Sequence, residues 1–190
     1  KAPCLDPSDA AEAAAMVADG YALSERYGVV TVLRPTTRIS HSRQAVAMPE
    51  TRAEGLPVQF DRNPVRWCPL PAIVRTSHPK HNARLERIRE EFEKDWGRYN
   101  YELPAKSGAK LGVIASGIAF ASLCDVLKEW GREDVDILKI GTPFPLPGRM
   151  ADAFAARHER VLVLEESYPV IEMQLTDRTN VRGRCDGTVA

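Results

Sequence analysis

The chain has 190 residues, enough for one ordinary domain or for one domain with an extension. Its 44% hydrophobic and 27% charged content is that of a soluble globular protein with a real core. Twenty-six basic residues balance twenty-six acidic ones, which excludes a whole-chain field for nucleic acid or an anionic membrane.

No apolar run approaches the roughly 20 residues of a membrane span. No charged start followed by an apolar segment marks export, so the expected location is the cytoplasm. The four cysteines, at 4, 68, 124 and 185, are far apart and form no C-x-x-C. They read as packing residues in a reducing compartment, and no metal site is expected. The chain starts at Lys1 without Met and shows no evident stop signal at Ala190, so a longer parent polypeptide is expected.

In chain order, "CLDPSDAAEAAAMVADGYALSERYG" predicts a helix. Asp6 is the expected cap, Pro7 the first helical residue, and Gly28 the terminator. Met16, Gly20, Leu23 and Tyr27 form its apolar stripe. "VVTVLR" follows as a β-branched strand of the kind covered on both faces. One helix cannot cover it, so it needs neighbours from elsewhere. Residues 44–78, with five prolines and little periodicity, read as a long connection. "PKHNARLERIREEFEKDWG" predicts a second helix with Leu85, Ile88, Phe92 and Trp96 inside. Arg87/Glu91 and Glu90/Lys94 are expected to pair across its turns.

From Lys110 the rhythm changes. "LGVIA", "VDILKI" and "RVLVLE" are short apolar runs separated by the helical patterns "IAFASLCDVLKEWG" and "PGRMADAFAARHE". A further helix is expected in "YPVIEMQLTDR", and an edge strand or tail in "NVRGRCDGTVA". Repeated strand–helix units with short links predict right-handed crossovers and a parallel sheet with helices on its faces.

Several polar groups are candidates for chemistry, each with a plainer alternative. The turn "ASGIAF" (115–120) follows a strand and opens a helix, so its N–H groups suit an anion. It lacks the further glycines or the lysine of a phosphate loop and also reads as a simple tight turn. Glu165 and Glu166 end a strand, where an acid meets a ribose hydroxyl or merely favours the next helix start. His78 and His81 share a helix face without further metal ligands. Arg38, His41 and Arg43 in "RPTTRISHSR" suit a carboxylate or diphosphate, or a surface loop tied to carbonyls. His158 reads as a C-terminal helix residue favourable to the dipole. No catalytic acid, base or nucleophile is expected. The turn "KIGTPFPLP" carries three prolines, and Pro143, Phe144, Pro145 and Leu146 read as a stiff contact surface to another domain or subunit.

"VLRPTTRISHSR", "KLGVIASGIAF", "ILKIGTPFPLP" and "RVLVLEESYPVIE", in this order, resemble the alpha subunits of indolepyruvate:ferredoxin oxidoreductases. These are thiamine-diphosphate-dependent 2-oxoacid:ferredoxin oxidoreductases. The resemblance implies that residues 1–43 end a pyrimidine-binding domain and that 44–108 form a linker with one helix. Residues 109–190 would then be a three-layer α/β/α domain like the C-terminal domain of transketolase. It implies an enzyme that turns aryl 2-oxoacids and coenzyme A into acyl-CoA, with a beta subunit and ferredoxin as partners. The whole enzyme would use thiamine diphosphate, Mg2+ and iron–sulfur clusters. This chain lacks the glutamate-bearing pyrimidine segment, the G-D-G…N motif and the cysteine-rich region. The stretch is therefore expected to hold no cofactor, to be inactive alone and to serve assembly within an oligomer. A regulatory module that binds an anion or nucleotide and a purely structural oligomerisation domain are the alternatives.

Overall fold

A computed structural model describes residues 1–47, 61–109 and 111–189. The part of the expected 44–78 connection between 48 and 60 lies outside them. Strand β1 (Cys4–Leu5), helix α1 (Ala10–Tyr27) and strand β2 (Val32–Leu33) open the chain. Asp9, not the expected Asp6, caps α1: its carboxylate accepts the Glu12 N–H at 2.8 Å. Pro7 and Ser8 remain outside the helix, and Asp6 is used elsewhere. Gly28 closes α1 in the left-handed region, at φ 58°, where a side chain would be strained.

β1 and β2 form a two-stranded parallel sheet, with Val32 N–H on Pro3 O and Arg34 N–H on Leu5 O, both at 2.8 Å. The single-turn helices α2 (Thr37–Ser40) and α3 (Pro64–Trp67) precede α4 (Pro71–Lys94). α4 starts eight residues before the expected Pro79, which lies inside it on an exposed turn. Its stripe of Leu85, Ile88, Phe92 and Trp96 is buried, and the last three pack with Leu5, Met16 and Leu23. The expected Arg87/Glu91 and Glu90/Lys94 pairs are not among the ion pairs of the described residues. Glu91 instead accepts from Arg26 Nη1 (2.6 Å), Tyr27 Oη (2.7 Å) and Trp96 Nε1 (3.0 Å). α1 packs close enough to outcompete the local partner.

The larger sheet has five strands in the order β3-β5-β4-β6-β7. They are β3 (Asn100–Leu103), β4 (Leu111–Ser116), β5 (Val135–Ile140), β6 (Val161–Leu164) and β7 (Val181–Arg182). All neighbours are parallel except β3, which runs antiparallel to β5 and lies in the stretch expected as a linker. Alternate residues face opposite sides. α5 (Gly117–Glu129) covers Val113, Ala115, Val135 and Ile137 through Phe120. α6 (Gly148–Ala156) covers Ile114, Leu138, Val161 and Val163 through Phe154 and Ala155. Full burial of Phe154 contributes about 2–3 kcal/mol relative to exposure. The fold is thus the expected α/β class, with a mostly parallel sheet and helices on both faces.

The helix expected in 168–178 is only a 3-10 turn, Glu172–Gln174. Glu165 ends the preceding strand and accepts the N–H groups of Ile171 (2.7 Å) and Glu172 (3.0 Å), fixing a short turn there. Among the described residues no helix is long and apolar enough to cross a membrane.

Candidate functional site

In an open parallel sheet a ligand crevice lies where neighbouring strands send their connections in opposite directions. Here that place is the gap between the carboxyl ends of β4 and β6: β4 leads to β5 on one side and β6 to β7 on the other. Ser116 and Gly117 form one wall, and Glu165 to Ser167 form the other. Ser167 has φ 71°, a strained value for a residue with a side chain.

This crevice is filled by the chain itself. Asp6, 1% exposed, leaves the end of β1 and enters it. Its Oδ2 accepts from Ser116 Oγ at 2.5 Å and from Arg34 Nη2 at 2.7 Å. Arg34, at the end of β2, also donates through Nη1 to Glu166 O at 3.1 Å. Gly117 has φ 54°, and a Cβ there would lie 2.7 Å from both Asp6 carboxylate oxygens. The helix start proposed for an anion therefore already faces one. Asp6 Oδ1 and Arg34 Nε are buried and have no hydrogen-bond partner among the described residues. The nearby Cys4 thiol is pushed up to about 11 by burial, against the pull of Arg34 and with help from Asp6. It is therefore protonated at neutral pH and is no nucleophile.

The turn that follows β5 is the second junction. Asn100, buried at the start of β3, accepts from Gly141 N–H (3.0 Å) and Thr142 N–H (3.2 Å). Gln174 accepts from Leu146 N–H (3.1 Å) and donates to Pro143 O (2.8 Å). Between these anchors the Phe144–Pro145 peptide is cis. The outer edge of β1 lies on the turn, with Cys4 N–H on Phe144 O (2.7 Å) and Asp6 N–H on Gly141 O (2.8 Å). Pro143, Pro145 and Leu146 are buried, and Phe144 keeps partial exposure under the Lys1 ammonium, 5.8 Å from its ring. Within this chain, then, the stiff turn faces the amino-terminal strand.

A third junction joins α1 to β5. The Lys139 ammonium bonds the Glu12 carboxylate and lies 4.9 Å from the Phe120 ring centre and 5.3 Å from that of Tyr101. Glu12 Oε2 in turn accepts from Ser8 N–H and Ser8 Oγ, each at 2.6 Å. A lone lysine inside the apolar run "VDILKI" was the available signal for this contact. Asp6, Asn100 and Gln174 carried no such signal, because their partners lie far away in sequence.

The other candidates divide. Arg38, His41 and Arg43 are exposed, and among the described residues none of their side chains has a hydrogen-bond or ion-pair partner. Glu165 caps backbone: burial raises its carboxyl above the usual range despite the N–H groups of Glu172, Ile171 and Val170. His81 Nε2 meets Lys1 O at 2.8 Å, and His78 is exposed. His158 does meet the end of α6, with Nδ1 2.8 Å from Phe154 O, and its Nε2 lies 2.8 Å from Asp136 Oδ2. Among the described residues no three His, Cys, Asp or Glu are placed to hold a metal ion.

No protein-family model matches the chain. It is 38% identical over 178 residues to the indolepyruvate oxidoreductase subunit IorA of Pyrococcus horikoshii, covering 91% of this chain and 27% of that protein. To IorA of Methanothermobacter thermautotrophicus it is 34% identical over 194 residues, covering 98% and 31%. To IorA of Archaeoglobus fulgidus it is 28% identical over 179 residues, covering 92% and 27%. The chain thus spans about a quarter to a third of the length of the curated relatives it matches. In structure it is similar to 2-oxoglutarate:ferredoxin oxidoreductase from Magnetococcus marinus, with TM-score 0.65 and 14% identity over 95% of this chain and 38% of the other. That structure contains 2-oxoglutarate, coenzyme A and succinyl-CoA. Along nearly all its length, this chain is similar to one stretch of the IorA subunits of indolepyruvate oxidoreductases.

Proposed function

We propose that these residues are a supporting segment of the alpha subunit of an aryl 2-oxoacid:ferredoxin oxidoreductase acting on indolepyruvate or its kin. The observation that carries the supporting role is the filled crevice. At the place where an open sheet of this order offers a ligand site, the chain has put its own Asp6 and Arg34. Similarity to IorA subunits supports the enzyme class.

In the whole enzyme the 2-oxoacid and coenzyme A would give acyl-CoA, carbon dioxide, a proton and an electron pair that passes to ferredoxin. Thiamine diphosphate with Mg2+ and iron–sulfur clusters would serve that chemistry. The donors found here do not fit those groups: the four thiols are separate, and among the described residues no three His, Cys, Asp or Glu are placed to hold a metal ion. We assign the groups to the remainder of the polypeptide and derive no step through them. The same reading has a beta subunit as partner, an oligomeric complex and a cytoplasmic site. Within it, residues 143–146 lock the amino-terminal strand to the sheet, and partly exposed Phe144 reaches a neighbouring domain or subunit. The exposed Arg38, His41 and Arg43 remain free to meet an anionic group on a neighbour.

The test compares the complete alpha subunit, assembled with its beta partner, against the 190-residue chain in one indolepyruvate oxidation assay. The complex is expected to turn over and the short chain is not. Turnover by the short chain, or none by a cluster-loaded complex, contradicts the proposal.

A further inference from the structure

We infer that His158 is a proton-operated clamp. With both ring nitrogens protonated it ties the end of α6 to β5 and, through Asp136, to the connection between β3 and β4; on losing one proton it lets go. Each ring nitrogen faces an acceptor. Nδ1 lies 2.8 Å from Phe154 O, and Nε2 lies 2.8 Å from Asp136 Oδ2. A backbone carbonyl only accepts, and so does an ionised carboxylate. Burial acts to raise the Asp136 carboxyl, but the Ala105 N–H, His158 and Arg157 outweigh it and keep the acid ionised at neutral pH. Either neutral tautomer of His158 would therefore set a bare nitrogen lone pair against an oxygen lone pair. Only the imidazolium makes both bonds.

The surroundings hold the ring in place and suit a cation. The His158 side chain is only 6% exposed. It lies against Gly112 of β4, where a Cβ would come within 2.8 Å of its Cγ, and against the Phe154 ring, with centroids 4.5 Å apart. The carboxyl end of α6 favours positive charge. Among the described residues, Asp136 of β5 is the charged group bonded to the ring. Arg157, beside it on α6, is turned to Glu102 of β3 in an ion pair. Asn180, just before β7, is neutral and donates to Ala155 O (2.9 Å) and His158 O (2.7 Å).

The other Asp136 oxygen carries the effect outward. Oδ1 accepts the Ala105 N–H at 2.6 Å, two residues past the end of β3. Among the described residues β3 pairs only with β5, and its first residue, Asn100, holds the turn on which β1 lies. The ring proton is thus coupled to an edge strand that helps to seat the amino-terminal unit. The clamp is complete once Asp136 is ionised and is lost as rising pH removes a proton from the ring.

Ring 15N signals of His158 and the exchange rate of the Ala105 amide, followed together across pH on the 190-residue chain, test the clamp. Both nitrogens should be protonated on the acid side and one proton should leave in a single step. Ala105 exchange, corrected for its own base catalysis, should rise at least about 10-fold in that same step. In His158→Phe the step should vanish and Ala105 should exchange fast throughout; if that variant does not fold, the parent titration decides alone. Signals of a neutral ring wherever the chain is folded overturn the clamp, as does a step that leaves Ala105 unchanged or one that persists in His158→Phe. A ring that keeps both protons until the chain unfolds overturns it too, because the tie would then be permanent.

Discussion

The Glu12 carboxylate on α1 and the Lys139 ammonium on β5 meet 127 residues apart in sequence, with Lys139 only 3% exposed. Two charges withdrawn from water stabilise little in total, but either one left alone is costly. Such a pair fixes how α1 sits on the sheet.

Lys139→Met or Glu12→Leu alone should each destabilise the chain by about 3–5 kcal/mol, because the other charge stays buried. The double variant should recover most of that loss. Urea unfolding of the four species gives the coupling. Additive losses would mean that the two charges do not interact.

Gly117→Ala should destabilise by about 1–2 kcal/mol from its left-handed backbone alone, plus a further loss from the Asp6 carboxylate, which a Cβ would meet at 2.7 Å. In an Asp6→Ala background only the backbone part should remain. The difference between the two backgrounds, read by urea unfolding, measures how tightly Asp6 seats in the crevice. No difference would place Asp6 away from Gly117.

Asn100→Ala should cost about 2–3 kcal/mol, since it strips buried partners from Thr142 N–H and Phe92 O. It should also raise hydrogen exchange at Cys4 and Asp6, which bond to the turn that Asn100 holds. Unchanged exchange there would separate Asn100 from the docking of β1.

Burial pushes the Asp136 carboxyl up, but the Ala105 N–H, the His158 hydrogen bond and charge, and Arg157 outweigh it and hold the carboxyl below its usual range. The folded form thus prefers the ionised acid. Its contribution is fully present above the unfolded value of about 3.9 and is lost as pH falls through the lower folded value. Asp136→Asn should therefore flatten the acid side of the stability curve below about pH 4 and lower the plateau above it. An acid limb identical to that of the parent chain would contradict this.

Local features of the fold were legible and long-range ones were not. Gly28 ends α1 because only its own backbone is involved, and the Leu85–Ile88–Phe92 stripe follows from helical period alone. The parallel sheet was readable from three evenly spaced apolar runs. Pro7 after Asp6 suggests a cap at Asp6, but Asp9 immediately precedes the first helical residue and takes the Glu12 N–H. β1 and β3 are too short or too polar to announce themselves and are strands only because of what they pair with. The strand-end candidates "ASGIAF" and Glu165–Glu166 line the two sides of the gap between β4 and β6. That its occupant would be Asp6, held there by Arg34, depends on contacts 110 and 28 residues apart.

Proton–nitrogen chemical shifts of Ser116, Gly117 and Ile118, followed while inorganic phosphate and then ADP are added, put the whole account at risk. Because the chain's own carboxylate and guanidinium close the strand ends, those signals should show no saturable movement. Saturable movement centred on Gly117 would mean that the crevice is open to an outside anion, and that this segment binds ligands rather than supporting its neighbours.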